Sequence, residues 1–417
     1  MILKCIECGK EYAADGIRYR CNCGDILEVF HDIEKLKEIN LRQLFEKRAQ
    51  SSKFPFNSGV WRYKEIISDI NNRFIISKPE GNTNLYKGLE YAGIKNFFLK
   101  HEGENPTGSF KDRGMTCGVS IAKMLGAKKV ACASTGNTSA SMASYASQAG
   151  MESFVFIPEG KIAYGKLSQA LAYGAKTLQI DGDFDDAMNL VQEICDKEEI
   201  YLLNSINPFR IEGQKAIGFE ILQQLNWNVP DWFVIPGGNL GNSSALAKGM
   251  MEFLELGLID KKPRIAVVQA NGANPLYRMW KEKKEFKPVK ADTIATAIKI
   301  GNPLSWKKSL NGIKWSNGTV EEVTDQEIMD AKAMVDKAGI GCEPASAASV
   351  AGAKKLAESG IIGKNETVVG ILTGDLLKDS DATVNYHLDK LSGIKGRFAN
   401  KPIKVKGSLE LVIKALR

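Results

Sequence analysis

From about residue 95 the chain alternates between two hydrophobic rhythms. Short runs rich in β-branched and aromatic residues read as strands at Phe97–Lys100, Lys129–Ser134, Ser153–Pro158, Thr177–Asp181, Tyr201–Asn204, Trp232–Pro236, Arg264–Gln269 and Val368–Leu372. Between them, amphipathic stretches of helical length cover Ser109–Leu125, Ser139–Ala149, Phe184–Lys197, Glu212–Leu225, Ser243–Leu256, Gln326–Ala338 and Ala345–Glu358. Strand–helix alternation at this spacing predicts parallel sheets with helices on both faces. Glu285 to Gly318 is poorly periodic and rich in Lys, Asn and Gly, so a long loop region is expected there. There is no internal repeat and no low-complexity linker.

At 417 residues the chain exceeds one compact core and is expected to form two or three domains. With 44% hydrophobic and 25% charged residues, it has the balance of a soluble globular protein. No run approaches the roughly 18 apolar residues of a membrane span. Met1–Cys5 does not begin a signal peptide, so a cytoplasmic protein is expected. The net charge of +7 is a weak bias that suits small anionic substrates and does not require nucleic acid. Part of it lies at the end, in Lys395, Arg397, Lys401, Lys404, Lys406, Lys414 and Arg417, which read as a solvated tail with a short helix after Ser408.

Cys117, Cys132, Cys195 and Cys342 are scattered through apolar segments and read as small buried hydrophobes. Cys5, Cys8, Cys21 and Cys23 are clustered. Cys-x2-Cys-Gly, twelve residues, then Cys-x-Cys-Gly is close to a zinc ribbon, in which two thiolate-bearing turns close one tetrahedral site. The second pair is one residue shorter than usual, because only Asn22 separates it. His31 is too far past Cys23 to be a favoured ligand and is expected to be a surface histidine.

In α/β sheets ligands bind where strands end and helices begin, and four such loops carry unusual chemistry. In Asn105-Pro106-Thr107-Gly108-Ser109-Phe110-Lys111-Asp112-Arg113-Gly114, Ser109 is a good N-cap and Lys111 falls in the first helical turn. There the helix dipole lowers an amine pKa, as imine-forming lysines need. Ser134-Thr135-Gly136-Asn137-Thr138-Ser139 groups hydroxyls, a glycine and fresh helix N–H groups into a cradle suited to a carboxylate. Pro236-Gly237-Gly238-Asn239-Leu240-Gly241-Asn242 brings backbone close to one small phosphate, and its spacing disfavours a dinucleotide or a nucleoside triphosphate. Leu372-Thr373-Gly374-Asp375 presents a neutral hydroxyl. Asn204-Ser205-Ile206-Asn207-Pro208-Phe209-Arg210 suits a second anion, and Gly341-Cys342-Glu343-Pro344-Ala345-Ser346 opens a small-residue helix with an acid beside it. Each loop alone is compatible with ordinary turn chemistry. Together they describe pyridoxal 5′-phosphate with an amino acid bound to it.

Lys100-His101-Glu102-Gly103 followed by Asn105 to Gly114 resembles the lysine motif of the threonine synthases, within the tryptophan-synthase-β-like, fold type II pyridoxal-phosphate family. The Ser134, Gly237, Glu343 and Leu372 segments follow in the family's order, so the resemblance spans roughly residues 75 to 390. It departs at Asn84, where the family's Gly-Asn-Thr-Pro-Leu has proline, and at Asp375, where some relatives have histidine.

The resemblance implies an α/β fold of two open, largely parallel sheets flanked by helices, with the zinc-ribbon-like module in front. The domain division expected is a module at 1–30, a large cofactor domain from 31–105 and 206–390, a smaller α/β domain at 106–205 and a basic segment at 391–417. It also implies roles: Lys111 as Schiff-base lysine and proton carrier; Asn137 on the pyridine hydroxyl; Gly237, Gly238, Asn239, Leu240 and Gly241 on the cofactor phosphate; Thr373 on the ring nitrogen. Thr135, Thr138, Asn204, Ser205 and Arg210 match positions that receive the substrate's carboxylate or phosphate. The activity implied is γ-elimination of phosphate from O-phospho-L-homoserine and β-addition of water, by a homodimer that binds neither nucleic acid nor membrane. A serine/threonine dehydratase or an O-phosphoserine-using cysteate synthase would keep every cofactor residue. A ligand-sensing or nucleic-acid-binding module on an inactive scaffold is the reading of another class, and the modest basic excess and the retained Lys111 argue against it.

Overall fold

The apolar runs become strands because helices cover them; all five residues of Trp232–Pro236, for example, are buried. The computed structural model describes residues 1–159, 164–182 and 184–416, and Arg417 of the basic tail lies outside them. Among the described residues the strands are β1 (Ile2–Cys5), β2 (Glu11–Ala13), β3 (Leu27–Phe30), β4 (Leu85–Lys87), β5 (Asn96–His101), β6 (Lys129–Ala133), β7 (Glu152–Pro158), β8 (Lys176–Ile180), β9 (Tyr201–Leu202), β10 (Trp232–Pro236), β11 (Arg264–Ala270), β12 (Thr319–Val323) and β13 (Thr367–Leu372). They form a six-stranded sheet in the order β12-β11-β10-β13-β5-β4, a four-stranded sheet in the order β8-β7-β6-β9, and a three-stranded sheet in the order β2-β1-β3. The four-stranded sheet is wholly parallel. In the six-stranded sheet only β4 runs antiparallel, on the edge. Among the described residues no helix is long and apolar enough to cross a membrane.

Some expectations are corrected by packing. The Glu285–Gly318 segment is not loop throughout: Trp306–Trp315 is a helix, because Leu310 and Ile313 bury one side of it. His31 is not a surface histidine. Its ring is buried and bonds Glu212 at 2.7 Å, in a cluster with Lys215 and Lys248 that joins the N-terminal sheet to the helices behind it. The lysine helix starts at Lys111 rather than Ser109, since Ser109 is drawn into a bridge with Gly374. Cys117, Cys132, Cys195 and Cys342 are all buried.

The lysine helix, Lys111–Met124, is fixed by a buried charge network. Arg113 grips Glu102 through two parallel bonds of 2.7 Å and reaches Glu220 at 2.9 Å. Glu220 also pairs with Lys100 at 2.6 Å. Backbone N–H groups of Asn82 and Thr83 close the network on Glu220 at 2.8 and 3.0 Å. This is what the Gly-Asn-Thr segment does, and its Asn84, in place of proline, bonds Glu104 instead. Gly213 allows the Pro208–Gln224 helix to press on the lysine helix, for a Cβ there would lie 1.9 Å from the Arg113 carbonyl oxygen. Breaking a buried network by removing one partner leaves uncompensated charge, which costs more than the pair contributes. Arg113→Met is therefore expected to lower stability by ~3–5 kcal/mol in urea titration. Loss of less than ~1 kcal/mol would show that Glu102 and Glu220 do not depend on it.

Candidate active site

The two larger sheets bring their strand ends to one cleft. β5 leads to Lys111, β6 to Ser134–Thr138, β9 to Asn204–Ser205, β10 to the glycine loop and β13 to Thr373. Hydrogen bonds stitch these loops together. Phe110 N–H donates to the Thr373 carbonyl at 3.0 Å, which sets Lys111 beside β13. The Asn137 amide donates to both oxygens of Glu343 at 3.1 Å, and Glu343 N–H donates to the Gly374 carbonyl at 3.1 Å. The Thr373 and Ser346 hydroxyls lie 3.1 Å apart. Asn239 of the glycine loop donates to the Ser205 hydroxyl.

Lys111 is half-buried, with its ammonium 4.2 Å from the centre of the Phe110 ring. Its pKa is pushed down to about 7, first by burial, then by the Arg210 guanidinium, while Glu343 opposes the shift. Burial and a second cation thus do what the helix start was expected to do. Asp112 does not pair with Lys111. It is buried, accepts from Thr107 and Ser141, and burial raises its pKa to about 6.

Arg210 is buried below the cleft. One of its terminal nitrogens donates to the Leu203 carbonyl at 3.0 Å, and its Nε has no partner among the described residues. Burial lowers its pKa to about 10, yet it remains a cation near neutral pH. Asn204 spends its amide on the backbone of Ala133, accepting at 2.9 Å and donating at 3.0 Å. It therefore ties β9 to β6, whereas Thr135, Thr138 and Ser205 line the half-buried loop edges.

The glycine loop fits a phosphate. A Cβ on Gly238 would lie 3.1 Å from the Ala297 carbonyl oxygen, and one on Gly237 would lie 2.7 Å from Val267, so only bare backbone fits. Leu240 is left-handed at φ 63° and turns the chain into the Gly241–Glu255 helix. Both polar atoms of the buried Asn242 amide are without a protein partner. A lysine with a lowered pKa, a glycine loop opening a helix, and an orphaned amide match the donor set of pyridoxal phosphate. Glu343, Ser346 and Asn242, which the sequence offered only as members of their loops and without a role, are further functional candidates. The sequence signal for Glu343 was an acid directly before the proline that opens a helix.

At the N-terminus the Cys5 and Cys23 sulfurs are 3.5 Å apart, as are those of Cys8 and Cys21, and all four lie within 4.8 Å of one another. A tetrahedral zinc–thiolate site with ~2.3 Å bonds has sulfurs about 3.8 Å apart, so the group fits one metal ion.

Such a cleft defines an enzyme that holds a phosphorylated aldehyde cofactor on a lysine. A family model described as pyridoxal-phosphate dependent enzyme matches residues 76–374, and the chain belongs to that family. It is similar to the threonine synthase of Methanocaldococcus jannaschii, 47% identical over 100% of both chains. The threonine synthase of Methanosarcina acetivorans is 49% identical over 92% of this chain and 93% of that one. The solved threonine synthase from Escherichia coli has the same fold, with a TM-score of 0.69 over 100% of this chain and 94% of that one at 17% identity.

Because Lys111 titrates at about 7, cofactor attachment to the stripped protein should rise as pH increases through that value and level off above it. Borohydride trapping followed by mass spectrometry measures this. Attachment that rises only near pH 10 would show an ordinary, hydrated lysine.

Proposed function

We propose that this chain converts O-phospho-L-homoserine and water into L-threonine and phosphate, with pyridoxal phosphate on Lys111. The observation that carries the reading is the second anion subsite. Arg210 is buried, its Nε has no partner among the described residues, and its charge is felt at Lys111. A phosphorylated amino acid fills both subsites, whereas free serine leaves the buried guanidinium bare. The whole-length likeness to threonine synthases supports the same substrate.

When bound, the cofactor supplies the electron sink that stabilises negative charge at the substrate carbons. Lys111, displaced by the substrate amine and neutral at its depressed pKa, removes the α-proton. Once that proton has been handed on within the site, the amine, neutral again, takes a β-proton, the γ C–O bond breaks, and phosphate leaves with the electron pair toward Arg210 and Ser205. One proton returns to the γ-carbon. Water then gives its hydroxyl to the β-carbon, a proton goes back to the α-carbon, and water's remaining proton accompanies the phosphate. Asn137, held by Glu343, and Gly237 to Gly241 would hold the cofactor's ring hydroxyl and phosphate. Thr373 would offer its ring nitrogen a neutral hydroxyl rather than a carboxylate, which would disfavour transamination. Thr135 and Thr138 take the substrate carboxylate. In the same reading Cys5, Cys8, Cys21 and Cys23 hold a structural zinc, the 106–205 segment forms the smaller domain, and the enzyme is a cytoplasmic homodimer.

NMR product analysis tests the reaction. Phosphohomoserine should yield threonine, Lys111→Ala should yield none, and Arg210→Met should lower kcat/KM by roughly 30- to 1000-fold, the cost of truncating a buried charge contact. Faster phosphate release from phosphoserine than from phosphohomoserine would overturn the substrate assignment.

A further inference from the structure

The cysteine module touches the anion side of the cleft by two separate routes. The first runs through Lys307, the second residue of the Trp306–Trp315 helix. Its ammonium is held at 2.7 Å by Glu7, which sits between Cys5 and Cys8, and at 2.6 Å by Asp25, which follows Cys23 and Gly24. One side chain therefore bridges both thiol-bearing turns. Three residues before Lys307, Leu304 N–H donates to the Asn239 side-chain oxygen at 2.7 Å, and Ser305 N–H donates to the Asn239 carbonyl at 3.3 Å. The same helix is secured by Lys308, which donates to the Leu27 carbonyl of β3 at 2.7 Å, and by a 2.8 Å contact of Ser309 with Ser243.

The second route runs through Tyr19, on the loop between the two turns. β9 is the edge of its sheet, and its Leu202 N–H finds no strand partner on that side. The Tyr19 hydroxyl oxygen accepts it at 2.7 Å, and the Tyr19 ring packs edge-on against Tyr201 with centroids 5.9 Å apart. Three residues further on is Ser205, which accepts from Asn239. Both routes thus end on one hydrogen-bonded pair, Asn239 from the cofactor-phosphate loop and Ser205 from the substrate-anion loop.

We infer that the four-cysteine module is a clamp on the anion side of the active site, acting through Lys307 and Tyr19 as positioning residues. A metal ion on the four sulfurs fixes the separation of Glu7 from Asp25, and with it the place of Lys307. Without the ion the two turns are joined by one backbone bond, from Ile6 N–H to the Ile26 carbonyl at 3.3 Å, and by side-chain contacts, so that Glu7 and Asp25 beyond that bond hold Lys307 less firmly and the Trp306–Trp315 helix can shift its N-terminus against Asn239. Lys307 is partly exposed, so its ion pairs add little to folding stability. Their effect lies in position, to which anion contacts are sensitive at sub-ångström scale. The inference rests on the proposed function, because it takes both anions to be those of cofactor and substrate.

The test compares the wild-type holoenzyme, before and after zinc removal by a chelator, with Lys307→Met, Lys307→Arg and Tyr19→Phe. The readouts are zinc content, the pyridoxal-phosphate dissociation constant, the inhibition constant of inorganic phosphate, and KM and kcat for phosphohomoserine. Lys307→Met should raise the cofactor dissociation constant and the KM by about tenfold, with kcat changed less than about twofold, as expected of a coupling element. Lys307→Arg should restore both to within about threefold, and Tyr19→Phe should raise KM and the phosphate constant more than the cofactor constant. Zinc removal should reproduce the Lys307→Met pattern in wild type and add little to it in the variant. Unchanged dissociation constants in Lys307→Met, or zinc removal that lowers only the melting temperature, would overturn the clamp. A wild-type enzyme that attaches no cofactor or releases no phosphate would instead overturn the functional reading.

Discussion

The rest of the site depends on the seat of one guanidinium. Arg113 follows Lys111 by two residues, and its fork joins the end of β5, through Glu102, to the Pro208–Gln224 helix, through Glu220. A bidentate guanidinium–carboxylate pair in a dry interior has a narrow range of geometries. It fixes the direction in which the helix leaves the sheet, and hence where the amine of Lys111 is delivered. Asp112 adds a second fixture through Thr107 and Ser141. Between two residues locked in place, Lys111 is the member of the triplet left to work.

The charges of the cleft are arranged asymmetrically. Arg113, Lys100 and Arg62 are paired with Glu102 and Glu220. Arg210 has no carboxylate against it among the described residues, and its charge adds to burial in lowering the Lys111 pKa. Glu343, on the other side, orients Asn137 and keeps the Lys111 pKa from falling further.

How far this was legible varies with the range of the interaction. The strands that carry loops were readable because each is a short apolar run ended by Gly, Pro or Asn, while β4 and β12 escaped notice, being three and five residues with partly exposed faces. The lysine helix starts two residues later than expected because a tertiary bridge draws Ser109 away from a cap. Lys111, Asn137, the glycine loop and Thr373 stood out because loop chemistry is local. Asn204 looked like a ligand because an amide after a strand has the right composition, and only the neighbouring strand shows that Ala133 occupies it. His31 looked like surface because its partner lies 181 residues away.

Hydrophobic period, turn residues and helix entry act over a few residues, and so the sequence by itself determined most of the central strand–helix alternation, the family motifs and the lysine at the start of its helix. Packing alone decided which charges meet: Arg113 with Glu220 across 107 residues, Asn137 with Glu343 across 206, and Lys307 with Asp25 across 282. A hydrogen bond or ion pair needs atoms within about 3 Å, and no pattern along the chain encodes that distance until the sheets have closed on each other.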